Sequence, residues 1–141
     1  MRNARIALIL FSLALFSGCA GTTVEPRDEE LLIKASALTK VAAALESAVK
    51  FKDAPPQLSE AELLHYATTH DPDLLQPFQG YVLRARRVGD MTSILLCTKD
   101  GQSALIEDSG CTARSDLHLW DRSPPVTCAF QLDLAAVCKK R

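Results

Sequence analysis

Long apolar runs are missing from this sequence: the longest, Ile6 to Phe16, covers eleven residues and is interrupted by Ser12. As a helix it would reach about 16 Å at ~1.5 Å per residue, against a hydrocarbon core of roughly 30 Å, so it is too short to span a bilayer. Catalytic signatures are missing as well. There is no nucleophile elbow, no phosphate-binding glycine loop, no zincin helix and no Cys-x-x-Cys pair, and nothing in the chain calls for a cofactor. An excess of basic charge is also absent, with 16 basic against 17 acidic side chains in 141 residues, which argues against a dedicated nucleic-acid binder.

What is present begins at the N-terminus. Arg2 and Arg5 precede the apolar run, no acid stands among the first five residues, and the small residues Ser17 and Gly18 follow. This is the three-part plan of a secretory signal peptide. Phe16-Ser17-Gly18-Cys19 resembles the lipobox of bacterial prolipoproteins, with Phe16 standing where the family usually has Leu. The resemblance covers residues 1–19 only. It implies that the Cys19 thiol receives a diacylglyceryl group, that residues 1–18 are removed, and that the freed amine takes a fatty acyl chain such as palmitate. Since each buried methylene contributes about 0.8 kcal/mol, two or more chains give stable attachment, and the mature protein would be tethered to the membrane rather than threaded through it. Ala20 stands where enterobacterial lipoproteins retained at the inner membrane carry Asp. By that analogy the periplasmic face of the outer membrane is the expected location.

Removing the leader leaves 123 residues, one domain's worth, with 14 basic against 17 acidic side chains and a formal charge of −3. With Cys19 lipidated, Cys97, Cys111, Cys128 and Cys138 make an even number in an exported chain, and an oxidising compartment makes two disulfides the expectation. Their wide spacing argues against a zinc ribbon, and no metal site is expected.

Residues 19–27, polar and broken by Pro26, read as a lipidated tether, and residues 28–141 as one periplasmic domain. The expected fold class is α+β, helical over 28–78 and mainly β over 80–138. Leu31, Ala35, Leu38, Ala42, Leu45 and Val49 recur four and three apart, a single helical stripe. Acids at Asp28 to Glu30 and bases at Lys50 and Lys52 suit the helix dipole, and Pro55-Pro56 closes the segment. The stripe could serve a coiled coil or pack on its own domain; at about three heptads, half Ala or Val, it favours the latter. Ser59 with Glu62 is a capping-box pair announcing a second helix. Asp71-Pro72 then offers a cap and first-turn proline for a short third helix through Leu75 and Gln76.

From Gly80 the period changes. Tyr81 to Val88, Met91 to Lys99 and Gln102 to Asp108, joined by Gly89-Asp90 and Asp100-Gly101, read as an antiparallel meander, with a further strand over Val126 to Leu132. Two-residue loops set Leu83 opposite Leu96, Leu96 opposite Leu105, and Cys97 opposite Ala104. Arg84 and Arg86 then share the other face with Leu95 and Ile106, while Arg87 faces away from them and near Glu107. In this register Cys111 lies seven residues beyond Ala104, up to ~23 Å at about 3.3 Å per residue, whereas bridged Cα atoms are usually within about 7 Å. Sequential pairing of Cys97 with Cys111 is therefore disfavoured. Cys111 with Cys128 and Cys97 with Cys138 is the preferred pairing, which would staple the C-terminal segment over the sheet.

Three places carry candidate chemistry. Asp116, His118 and Asp121 in "SDLHLWD" put a histidine between carboxylates, suited to a general base or a cation, although on a strand Asp121 would not share their side. Trp120 beside them is a candidate partner-binding residue, because tryptophan often anchors interfaces. Arg84 and Arg86 form a second candidate, a basic pair suited to a partner or an anionic envelope ligand. His65 and His70, five apart, do not converge on a helix. The expected function is a non-enzymatic accessory or interaction lipoprotein with an envelope protein partner. Two alternatives remain, a periplasmic inhibitor or immunity protein and a hydrolase using His118 with Asp116.

Overall fold

A computed structural model describes residues 26–139 of the chain, and the leader, the lipobox and Cys19 lie outside the described residues. The fold is α+β. Helix α1 spans Pro26–Phe51 and α2 spans Glu60–Thr68, followed by a 3-10 segment, Pro72–Phe78. Strands β1 (Val82–Val88), β2 (Met91–Cys97), β3 (Ala104–Ser109) and β4 (Leu117–His118) then form one antiparallel sheet in the order β1-β2-β3-β4, and a short helix α3, Leu134–Cys138, ends the described chain.

The local signals act as expected. Ser59 caps α2, its Oγ accepting from the Glu62 N–H at 3.3 Å while the Glu62 carboxylate accepts from the Ser59 N–H at 2.8 Å. Pro72 opens the 3-10 segment, but the Asp71 side chain makes no capping bond. Gly89 and Gly101 take φ of +64° and +68° in the two hairpin turns, a region glycine enters without steric cost. All six residues of the α1 stripe are buried. They pack on Leu63 and Phe78 and on Ile94, Leu96 and Ile106 of the sheet, so the stripe builds this chain's own core rather than a coiled coil.

The register between β1 and β2 is the expected one, with Leu83 opposite Leu96. Between β2 and β3 it begins as expected, Cys97 facing Ala104, and then shifts at a bulge so that Leu96 faces Ile106 instead of Leu105. One extra residue inverts every side chain that follows. Ile106 thereby joins the helix-facing core, Glu107 turns to the opposite face opposite Leu95, and Asp108 turns towards the helices. Arg87 consequently does not meet Glu107: its guanidinium donates to the carbonyls of Ala54 at 2.7 Å and Gly89 at 2.8 Å.

The second face of the sheet is covered by the C-terminal segment. Leu95, Cys97, Ala104 and Leu119 are buried there beneath Val126, Cys128 and Phe130. The expected strand over Val126 to Leu132 is reduced to one bridge, Ser103 with Thr127. Beyond it the N–H groups of Gln131 and Leu132 donate to the Glu107 carboxylate at 2.6 and 3.1 Å, so a side chain takes the place of a strand partner. The segment starts beside the end of β2, where Ala104 donates to the Val126 carbonyl at 2.8 Å, and crosses towards the start of β2. Cys128 therefore meets Cys97 first, and Cys138, ten residues on, reaches Cys111. The bridges are Cys97–Cys128 and Cys111–Cys138, with Cα separations of 5.7 and 5.6 Å. Pairing is non-sequential, as the distance argument requires, but the preferred partners were exchanged, because the direction of this crossing is not written in the spacing.

Candidate functional site

Arg84 and Arg86 alternate along β1 onto the second face, and the C-terminal segment closes over them. The Phe130 ring lies beneath both guanidinium groups, 5.3 Å from Arg84 and 4.6 Å from Arg86 at the ring centroid. Arg84 reaches both carboxylate oxygens of Glu60 with Nε and Nη2, at 3.1 and 2.8 Å, and the Cys128 carbonyl with Nη1 at 3.2 Å. The Glu60 carboxylate raises the Arg84 pKa, outweighing partial burial. Arg86 donates to Ser93 Oγ at 3.3 Å and to the Leu132 carbonyl at 2.9 Å, and stands 3.6 Å from Glu107 Oε1. Most donors of the pair thus bind their own chain. What the geometry assigns to Arg84 and Arg86 is fastening of the C-terminal segment and of α2 to β1.

Trp120 lies elsewhere. It is half-buried against the helix-facing core, and its indole stacks on the exposed His118 imidazole, with centroids 4.6 Å apart and 25° between planes. His118 sits on β4 and the arginines on β1, the two outer strands. Three strand spacings of about 4.8 Å separate them, roughly 14 Å, so Trp120, His118 and the arginines do not form one patch.

Asp116 turns away from His118. Its Oδ2 accepts from the Ser109 N–H at 2.9 Å, Ser109 Oγ at 2.7 Å and Thr112 Oγ1 at 3.0 Å, an arrangement that folds the loop after β3 back on itself. No hydrogen bond joins His118 to Asp116 among the described residues, and Asp121 is exposed beyond them. Thr112 Oγ1 also lies 3.4 Å from Asp108 Oδ1, so two carboxylates converge on one hydroxyl. Burial, followed by the neighbouring Asp116 charge, pushes the Asp108 carboxyl up to about 6, against the favourable influence of the nearby Thr39 and Thr112 hydroxyls. Asp108 Oδ2 is buried and accepts no hydrogen bond from a described group.

The sequence alone marked neither Asp108 nor Phe130, and it set Glu107 near Arg87 rather than against Arg86 and the C-terminal segment. Their roles depend on the bulge and on the crossing segment, and only an odd run of two acids directly after Leu105-Ile106 hinted at a broken alternation. His65 and His70 are exposed, and they share no site. Among the described residues no group of three or more His, Cys, Asp or Glu side chains is arranged to hold a metal ion, and no helix is long and apolar enough to cross a membrane. No family model matches the chain, and no curated protein or solved structure matches it.

Proposed function

We propose that the chain is a lipid-anchored lipoprotein of the bacterial envelope, held at the periplasmic face of the outer membrane through Cys19 and acting there as a non-enzymatic accessory or interaction module. The observation that carries this reading is the sequence of the leader, two arginines, then an apolar run, then Phe16-Ser17-Gly18-Cys19, together with the allocation of the cysteines. The four cysteines among the described residues are all joined, in Cys97–Cys128 and Cys111–Cys138, so the disulfides of the fold do not call on Cys19. Two disulfides suit an oxidising compartment, and a thiol left over beside a small-residue pair suits lipidation. The accessory role draws support from the contacts of Asp116, which serve its own loop rather than His118.

The test is metabolic labelling with radioactive palmitate in cells making the full chain and the Cys19→Ala variant. Label on the first and none on the second is expected, with the labelled protein fractionating with outer membranes. Continued labelling of the variant would sink the assignment. Capture of the native protein in detergent is expected to recover one envelope protein reproducibly. A hydrolase built on His118 is the competing reading, and activity lost in His118→Ala would favour it.

A further inference from the structure

Helix α1 has a second face that its core packing leaves unused. Its buried stripe runs along one side, while Leu32, Ile33, Lys40, Ala43 and Phe51 are exposed on the other. Four large hydrophobic side chains are exposed among the described residues, and three belong to this face: Leu32 at 46%, Ile33 at 64% and Phe51 at 80%. At 3.6 residues per turn, positions 18 apart lie on one line, so Ile33 and Phe51 stand in a row about 27 Å long with Lys40 close to it. Leu32 and Lys50 form a parallel row. Glu29 is the exposed acid on this side, Lys40 makes no ion pair among the described residues, and Lys50 is paired with Glu46 at 2.6 Å.

We infer that this outer face of α1 lies on the surface of the bilayer that holds Cys19, with Leu32, Ile33 and Phe51 entering the headgroup region and Lys40 meeting lipid phosphate. The inference rests on lipidation of Cys19. Given that anchor, seven residue steps separate Cys19 from Pro26, at most about 25 Å of chain at ~3.6 Å per step, so the start of α1 is never far from the headgroups. A helix of 26 residues is about 39 Å long, and laid parallel to the surface it brings both apolar ends of the row into contact together. Tethering makes the contact intramolecular in effect, so a few apolar side chains suffice where a free protein would not bind. A second copy of the chain is the poorer occupant. Three apolar side chains spread over five turns, with Ser36, Lys40 and Ser47 between them, fall short of the roughly 800 Å² per partner that a stable dimer buries.

The experiment uses the full, lipidated chain in phosphatidylethanolamine–phosphatidylglycerol vesicles, with Ile33→Cys, Phe51→Cys or Gln131→Cys carrying an environment-sensitive fluorophore. Gln131 is exposed on the segment that covers the opposite face of the sheet. Flotation of the vesicles reads the anchor, and quenching by nitroxide lipids reads the face. The expected result is flotation of all three, with several-fold stronger lipid quenching at positions 33 and 51 than at 131. Flotation with equal, weak quenching at all three overturns the docking while leaving the anchor standing. Failure to float removes the anchor and the docking with it. Crosslinking of position 33 or 51 into homodimers would assign the face to a second copy and overturn the inference.

Discussion

Glu107 and Arg86 form a half-closed ion pair across β1 and β3, with Glu107 Oε1 3.6 Å from Arg86 Nη2 and the carboxylate fully buried. The other oxygen, Oε2, holds the Gln131 and Leu132 N–H groups. One side chain therefore neutralises a cation and replaces a strand partner for the C-terminal segment.

Removing the cation isolates that charge. Arg86→Ala is expected to cost about 2–4 kcal/mol, towards the lower part of the range for breaking a buried pair because Arg86 is partly exposed. Glu107→Gln should cost less, since an amide oxygen can still accept from the two N–H groups. Urea denaturation with disulfides intact measures both. Equal stability of Arg86→Ala and the parent would show that Glu107 does not depend on its partner.

The disulfides close loops of similar length, with 31 residues separating Cys97 from Cys128 and 27 separating Cys111 from Cys138. On the chain-entropy account each contributes about 3–4 kcal/mol, so paired serine variants of either bridge should lose comparable stability. Non-reducing peptide mapping is expected to recover these two linked pairs and no peptide joining Cys97 to Cys138.

Asp108 supplies a pH dependence of definite sign. Its carboxyl is raised from 3.8 to about 6 in the fold, mainly by burial and next by the Asp116 charge, while Thr39 and Thr112 oppose the shift. The folded state then holds a proton that the unfolded state releases, so stability falls as pH rises from about 4 to about 6 and is level above that. A change of about 3 kcal/mol is expected from a shift of this size at ~1.4 kcal/mol per pKa unit. Asp108→Asn should flatten that interval in denaturation midpoints measured across pH, and an unchanged slope would count against a protonated Asp108.

Gly110, directly after β3, lies close against α1. A Cβ there would stand 2.5 Å from the Glu46 Cβ and 2.7 Å from the Ala42 carbonyl oxygen, neither of which can swing aside. Gly110→Ala is expected to cost about 1–3 kcal/mol, as overpacking does, and a thermal melt will read it. Gly89→Ala is the informative contrast: nothing lies within 4 Å of its Cβ position, so any loss there comes from the positive φ alone.

Much of the architecture was legible because it is encoded locally. The Ser59 and Glu62 capping box lies within one helical turn, the Gly89-Asp90 turn fixes the first hairpin register, and the α1 stripe has a period that only a helix can bury on one side. The candidate site was legible only as a set of residue types. Arg84, Arg86, His118 and Trp120 stand out by residue type alone, yet which of them meet depends on strand order, and β1 and β4 are the two outer strands of the sheet.

By itself, then, the sequence determined the class of fold, the order of helices and hairpins and the exclusion of a Cys97–Cys111 bridge. Tertiary structure decided the rest. A single bulged residue, Leu105, chose which of Ile106, Glu107 and Asp108 faces the helices, because strand alternation has a period of two and any insertion inverts it. The direction in which the C-terminal segment crosses the second face chose the disulfide partners, because contacts between residues some thirty positions apart are set by packing and not by spacing along the chain.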